Sequence, residues 1–169
     1  MDNRERFRRT LNFQPVDRLP LMEWATWWDK TLARWHNEGL PQELPAGETL
    51  YGYFSLDSHR QCWIGAAAPT CPAPQSHGGA LIAGREDYLA IKQHLYPAPA
   101  FDGAAVEAWA AEQQTGRTVV WITLEGFFWW PRKLFGIEPH MYAFYDQPEL
   151  MKEINEDLLE FNLRALKEF

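Results

Sequence analysis

The sequence predicts an α/β fold from the order of its elements. Two short apolar runs, residues 18–24 and Val119–Leu124, have the character of buried strands. Amphipathic segments of helical period lie between and after them, and this alternation of strands and helices is typical of α/β folds. The second run is β-branched and continuously apolar, which is typical of a strand covered on both faces. Two strands alone do not complete an α/β domain.

The chain begins with a predicted helix. Asp2 or Asn3 is a suitable N-cap, and Phe7 and Leu11 lie four residues apart on one face. The stretch QPVDRLP ends this helix, because proline lacks an N–H donor and restricts the residue before it. The apolar run RLPLMEW follows as the first predicted strand.

A second helix is predicted over residues 28–38. Trp28, Leu32 and Trp35 repeat at helical spacing, and Gly39 followed by Pro41 is a stop signal. Residues 40–84 are predicted to be irregular, with short strands in YGYF and ALIAG. An irregular stretch of this length inside a compact domain is unusual unless it is functional.

Three further helices are predicted, over residues 86–95, over 103–114 and at the carboxyl end. For the last, Asp146 is the expected N-cap, Pro148 falls in the first turn and Glu149 has capping-box spacing. Its buried face is predicted from a stripe at helical period. That stripe consists of Leu150, Ile154, Leu158 and Phe161.

Composition excludes several classes of function. The chain has 169 residues, 46% of them apolar, as in a globular protein. Nine tryptophans indicate an aromatic core, an aromatic-lined pocket or both. A net charge of −7 argues against nucleic-acid binding. The two cysteines are too few for a disulfide framework, and no signal peptide or membrane-length apolar run is found, so a cytoplasmic location is expected.

Three stretches carry a family resemblance. NRERFRRTLNFQPVDRLPLMEW resembles the amino-terminal signature of the uroporphyrinogen decarboxylase-like superfamily. TLARWHNEGLP resembles the next segment in one branch of that family, and FGIEPHMYAFYDQPELMKEINEDLLEFNLRALKEF resembles a later segment. The resemblance implies a partial (β/α)8 TIM barrel. The whole chain, residues 1–169, would be a single incomplete domain of this family, with a loop-rich insertion at about 40–84. A fragment of this kind is expected to form a homodimer or to need a partner that completes the barrel.

The resemblance implies two chemistries. One is cofactor-free decarboxylation of uroporphyrinogen in porphyrin biosynthesis, a carbon–carbon lyase reaction. The alternative is a methyltransferase that uses zinc and a corrinoid partner, neither of which this chain would hold by itself. The arginine-rich segment that binds porphyrinogen carboxylates is replaced here by MEWATWWDK. We therefore expect a substrate smaller or less acidic than a porphyrinogen, since indoles do not replace guanidinium forks.

The resemblance also places the candidate catalytic residues. Glu23 and Glu125 each follow a predicted strand, and in a barrel the carboxyl ends of the strands form the catalytic face. Two carboxylates at one mouth would act as acid and base, and apolar neighbours would raise a pKa. The structural alternative is that each caps a helix or pairs with a nearby cation such as Arg132.

Aromatic side chains flank both acids. The candidate substrate-binding residues are Trp24, Trp27, Phe128, Trp129 and Arg132. A tryptophan can form a pocket wall or hold a cation on its ring face, and arginine can bind a carboxylate with two hydrogen bonds. The alternative is core packing for the rings and plain surface exposure for the arginine.

Two further groups of residues carry weaker signals. His59, Cys62, Cys71 and His77 match no common structural zinc pattern, so no metal site is predicted in this chain. His140 is expected to cover a helix start rather than act as a base. A non-catalytic aromatic-rich binding or assembly module is the remaining alternative to an enzyme.

Overall fold

The computed structural model describes residues 1–25, 27–44 and 48–169. Within these residues the chain forms eight α-helices and two β-strands, one strand after the third helix and the other after the fifth. In chain order the elements are α1 Asn3–Leu11, α2 Asp29–Asn37, α3 Glu48–Tyr53, β1 His59–Ile64, α4 Arg85–Ile91, α5 Gly103–Gln114, β2 Val119–Leu124, α6 Trp129–Phe135, α7 Ile137–Asp146 and α8 Pro148–Glu168. A single 3₁₀ turn, Lys92–His94, continues α4.

The predicted partial (β/α)8 barrel is wrong. In the described residues β1 and β2 pair only with each other, as an open two-stranded parallel sheet, and helices supply most of the structure. A barrel closes only when each strand pairs on both edges, and two strands leave both outer edges unpaired. The chain is therefore a small α-rich fold.

The first predicted strand, residues 18–24, does not form. The backbone N–H of Leu21 donates to the Asp57 carboxylate at 2.9 Å, and the backbone C=O of Leu21 accepts from the Asp57 N–H at 2.7 Å. Arg18 binds the same carboxylate through both of its terminal nitrogens. Because Asp57 takes both backbone hydrogen bonds of Leu21, this run does not pair with a strand of the sheet. Its apolar character alone therefore misled the prediction.

The middle segment is more regular than predicted. Helix α3 occupies the YGY stretch that was predicted as a strand, and ALIAG forms no strand. The strand of this region is β1, with the sequence HRQCWI, which the prediction missed. Three polar residues at its start hide the pattern of a buried strand. Residues 45–47 of the predicted loop lie outside the described residues.

Most predicted helices are confirmed. Helix α1 begins where expected, and the Asp2 side chain accepts a hydrogen bond from the Glu5 N–H at 2.8 Å. Helix α5 has the predicted bounds, and α2 lies within its predicted range. The expected cap of α8 is wrong, because Asp146 is the last residue of α7 and Gln147 precedes α8 without a side-chain cap. The Gln147 side chain donates to the Ala83 carbonyl instead, at 2.9 Å.

The chain divides into two compact units. Unit 1 comprises Met1–Gln61 and Glu107–Trp121, and unit 2 comprises Cys62–Val106 and Ile122–Phe169. In unit 1, the buried Arg6 binds Asp17 through two hydrogen bonds and lies 3.7 Å from Asp57. The Asn3 amide donates to the carbonyls of Ser58 and Arg117. These contacts fasten α1 to the starts of both strands.

The core of unit 2 is built on α8. The predicted stripe is confirmed, since Leu150, Ile154, Leu158 and Phe161 are all buried. Helices α6 and α7 pack against α8. Their buried side chains include Trp130, Leu134, Phe135 and Ala143. Removal of this apolar surface from water is the main stabilising contribution in the unit.

We expect Leu158→Ala to lower the free energy of unfolding by about 2–5 kcal/mol, because Leu158 is fully buried and its removal leaves a cavity. Its neighbour Leu159 is 45% exposed, so Leu159→Ala is the matched control and should cost less than about 1 kcal/mol. Urea denaturation followed by circular dichroism measures both. Equal losses in the two variants would contradict the assignment of the buried face of α8.

Candidate functional site

Helix α6 carries the polar residues of the candidate site. It begins just after β2 and the loop 125–128, where the Trp130 N–H donates to the Gly126 carbonyl at 2.8 Å. Pro131 lies in its first turn, where the lack of an N–H donor is tolerated. The helix ends at Gly136, whose φ of +80° favours glycine. This short helix places Trp129, Arg132 and Lys133 beside one another.

Glu125 lines the first of the two cavities that flank α6. This cavity, of about 470 Å³, lies at the carboxyl ends of β1 and β2. Its lining residues are Trp63, Ile64, Gly65, Thr123, Leu124, Glu125, Gly126, Trp129 and Lys133. The Glu125 side chain is 13% exposed and forms an ion pair with Lys133, and its backbone carbonyl accepts from the Asn162 amide. The Glu125 carboxylate therefore pairs with Lys133. The sequence had suggested Arg132 as the alternative partner.

A second cavity, of about 510 Å³, lies on the other flank of α6. Trp129 and Lys133 line it as well as the first cavity. The other lining residues are Ala67, Ala68, Cys71, Pro72, Pro74, His77, Gly78, Gly79, Leu81, Trp130, Arg132, Leu134 and Ile137. None of these described residues is a carboxylate. The cavity thus combines apolar walls with cationic groups.

Arg132 has an unusual environment for an arginine. It is half-buried, and its guanidinium carbon lies 4.4 Å from the centre of the Trp129 ring. Within the described part of the chain its guanidinium group has no carboxylate partner and no hydrogen bond. Stacking on an indole fixes the plane of the guanidinium group while leaving its N–H groups free. A ligand carboxylate or phosphate is the natural partner for such a group.

The loop wall of the second cavity is held tightly against the α6–α7 junction. The Ile137 N–H donates to the Gly78 carbonyl at 3.1 Å, and a Cβ added at Gly136 would lie 2.9 Å from the Ala80 nitrogen. The N–H groups of Leu81 and Ile82 both donate to the Leu134 carbonyl. The positions of Gly78 and Gly79 in the cavity wall are therefore fixed by backbone contacts.

His140 is a buried histidine without polar partners. Neither ring nitrogen has a hydrogen-bond partner among the described residues. The centre of the ring lies 4.8 Å from that of the Phe128 ring and 5.0 Å from that of the Phe144 ring. Burial lowers the pKa of His140, and the positive charge of Arg132 lowers it further. The residue lies in the first turn of α7, and its ring packs against Phe128, the residue that precedes α6.

The remaining predicted site residues are divided between the units. Glu23 belongs to unit 1, where its carboxylate accepts from the Ala25 N–H at 3.2 Å. Trp24 is exposed, and Trp27 packs on other rings of unit 1. In unit 2, Trp129 joins Glu125 in one cavity and Arg132 in the other, whereas Phe128 packs on His140. A catalytic pair of Glu23 and Glu125 stays a prediction.

The prediction missed Lys133, Trp130 and Trp63 as lining residues. Lys133 directly follows Arg132, so the sequence offers both as partners of Glu125. Which of the two cations forms the pair depends on the rotation of α6 about its axis. Trp63 was hidden because β1 was not recognised. Among the described residues there is no group of three or more His, Cys, Asp or Glu side chains that could hold a metal ion.

None of the helices in the described part of the chain has the length and apolarity that a membrane crossing requires.

Comparison of the chain with protein-family models, with curated proteins and with solved structures found no match in any of the three. The resemblance to the uroporphyrinogen decarboxylase-like superfamily therefore stays a prediction from the quoted residues.

His140 should make unit 2 sensitive to acid. Its pKa is lowered in the folded protein, so below an unfolded-state pKa of about 6.5 the unfolded chain binds the proton more readily. Stability contributed by the neutral ring is present above that pH and is lost as pH falls toward the lowered pKa. The free energy of unfolding should therefore depend less steeply on pH in His140→Leu than in the wild type, by up to about 1.4 kcal/mol per pH unit.

Urea denaturation between about pH 7 and pH 5 measures the effect, because this range spans the ordinary histidine pKa of about 6.5. The exposed His77 provides the control, and comparison of His140→Leu with His77→Gln isolates the contribution of the buried ring. A pH dependence of His140→Leu identical to that of the wild type would show that the ring is protonated equally in the folded and unfolded states.

Proposed function

We propose that the chain is a lyase-type enzyme, uroporphyrinogen decarboxylase-like in its chemistry, that acts on a small organic acid. The observation that carries this proposal is Arg132, a half-buried guanidinium group without a carboxylate partner in the described residues. The proposal does not depend on a barrel. It depends on the two cavities on either side of α6.

The second cavity suits an organic acid with an apolar body. Arg132 supplies a planar donor fork that Trp129 orients, and no lining carboxylate competes for it. Trp130, Leu134 and the Pro72 and Pro74 loop offer apolar walls. A volume of about 510 Å³ lies in the range of cavities that bind small molecules.

A single guanidinium group favours a substrate with few carboxylates. Uroporphyrinogen is an octa-acid, and the segment that should carry its arginines reads MEWATWWDK. Because a salt bridge stabilises a carboxylate against loss, Arg132 would hold an acid group that the reaction retains. The proposed substrate is therefore a small acid that carries a second, reacting carboxylate.

Glu125 and Lys133 are the proposed reacting pair. In a decarboxylation the bond between carbon and the carboxylate breaks, carbon dioxide leaves, and the bonding electron pair on carbon takes a proton. The Lys133 ammonium group lines both cavities and can supply that proton, and water then returns one to the amine. The nearly buried Glu125 pairs with Lys133, and its negative charge repels a second carboxylate beside it.

A cytoplasmic location is part of the same proposal. The zinc- and corrinoid-dependent alternative, the homodimer and the non-catalytic module stay predictions.

Arg132→Met should weaken the binding of an aromatic dicarboxylate such as phenylsuccinate by at least about tenfold, because it removes a charge-assisted pair and keeps the apolar stem. Arg132→Lys should restore part of the affinity, since it keeps the charge and loses the fork. Isothermal titration calorimetry measures the dissociation constants.

The matched control for binding is Arg85→Met, which removes an exposed arginine that pairs with Glu153 in the same unit. It should leave the affinity unchanged. The diamide of phenylsuccinate is the ligand control and should not bind detectably. Equal affinities for the wild type and Arg132→Met would overturn the assignment of Arg132 as the carboxylate-binding residue.

Lys133→Met should reduce the release of carbon dioxide from carboxyl-labelled dicarboxylates by about 10²-fold or more, as expected for loss of a general acid. Its binding of the same compounds should change much less, because Arg132 remains. Binding by the wild type with no turnover of any aromatic or aliphatic dicarboxylate tested would contradict the lyase proposal and favour the binding module.

A further inference from the structure

A separate cavity in unit 1 lies where helices α2 and α3 end. Its volume is about 400 Å³, and it uses no residue of the two cavities that flank α6. The lining residues are Trp35, Glu38, Gly39, Leu40, Tyr53 and Phe54. Three of these six residues are aromatic, and Glu38 is the one that carries a formal charge.

The turn after α2 fixes one wall of this cavity. Gly39 has a φ of +113°, in the left-handed region that favours glycine. The Leu40 N–H donates to the Trp35 carbonyl at 2.9 Å, and the His36 Nδ1 donates to the Leu40 carbonyl at 3.1 Å. Leu40 is buried as a result. Glu38 and Trp35 are thus held on the same side of a well-bonded turn.

The aromatic rings of the cavity meet at steep angles. Phe54 lies 5.3 Å from Trp35 with an interplanar angle of 68°, and 5.2 Å from Tyr53 with an angle of 82°. Trp27 packs behind the group, against Trp35 and Phe54. Rings at such angles present ring faces in several directions. Each face has negative electrostatic potential and attracts cations.

The charge at the rim points to the same class of ligand. Glu38 has a partner, since its carboxylate lies 3.2 Å from the Arg34 guanidinium. The two side chains are 58% and 68% exposed, so water screens the pair and it contributes little to stability. A cation that enters the cavity can therefore replace Arg34 at modest cost. An anionic ligand would meet both the ring faces and the carboxylate.

We propose that this aromatic cavity binds a small organic cation that bears a quaternary or methylated ammonium group. Such a cation is weakly hydrated and has no need of strong hydrogen-bond acceptors, so ring faces can replace its water. A hard metal ion needs several oxygen ligands, and one carboxylate does not supply them. Glu38 adds the charge that distinguishes the cation from an apolar group of the same shape.

Choline and its uncharged tert-butyl analogue test the proposal on the full chain. The two have the same shape and differ in charge. Isothermal titration calorimetry should show that choline binds at least about tenfold more tightly than the analogue. Equal binding of both compounds would show a merely hydrophobic cavity. Failure of choline to bind at millimolar concentration would likewise overturn the proposal.

Variants then locate the site. Glu38→Gln should weaken choline binding by roughly threefold or more, while Arg34→Gln should strengthen it, because the competing internal cation is gone. Tyr53→Leu, at a residue that is 51% exposed, should also weaken binding without loss of the fold, as circular dichroism will verify.

The control variant is Glu43→Gln, which removes one negative charge from an exposed position outside the cavity. It should leave the affinity for choline unchanged. If Glu43→Gln and Glu38→Gln weaken binding equally, the effect is one of net charge and the site is not the aromatic cavity.

Discussion

Burial of the apolar stripe of α8 is the constraint on which unit 2 depends. With a sheet of two strands, the helices have to supply most of the apolar surface that leaves water. Helix α8 is the longest element in the described residues, and α6 and α7 pack on it. Its Asn162 holds the Glu125 carbonyl, so the same helix that forms the core also fixes the end of β2.

Arg6 in α1 is buried and Arg132 in α6 is half-buried, and the two arginines differ in their partners. Arg6 in unit 1 binds Asp17 and lies near Asp57, and this guanidinium group holds the pKa of Asp17 well below its usual range. Arg132 in unit 2 lies on an indole and has no such acid in the described residues. The acids around Arg6 offset the cost of removing its charge from water, so its role is structural. Arg132 lies beside a cavity without such a partner, so it is suited to bind a ligand.

Sequence patterns predicted the local structure better than the pairing between distant segments. The period of α8 and the β-branched run of β2 follow from neighbouring residues, and both are confirmed. The run at 18–24 is no strand because Asp57, 36 residues away, takes the backbone groups of Leu21. Likewise, the sequence predicts Glu125 and Arg132 as candidate site residues, but the pairing of Glu125 with Lys133 depends on the orientation of α6.

Trp129 and Lys133 form a wall common to both cavities that flank α6. A ligand that rotates either side chain in one cavity necessarily changes the shape and charge of the other. The free energies of binding in the two cavities are then coupled, and thermodynamic linkage requires the coupling to be equal in both directions. A ligand retained on one flank of α6 would therefore alter the affinity for a ligand on the other, without any movement of the helices.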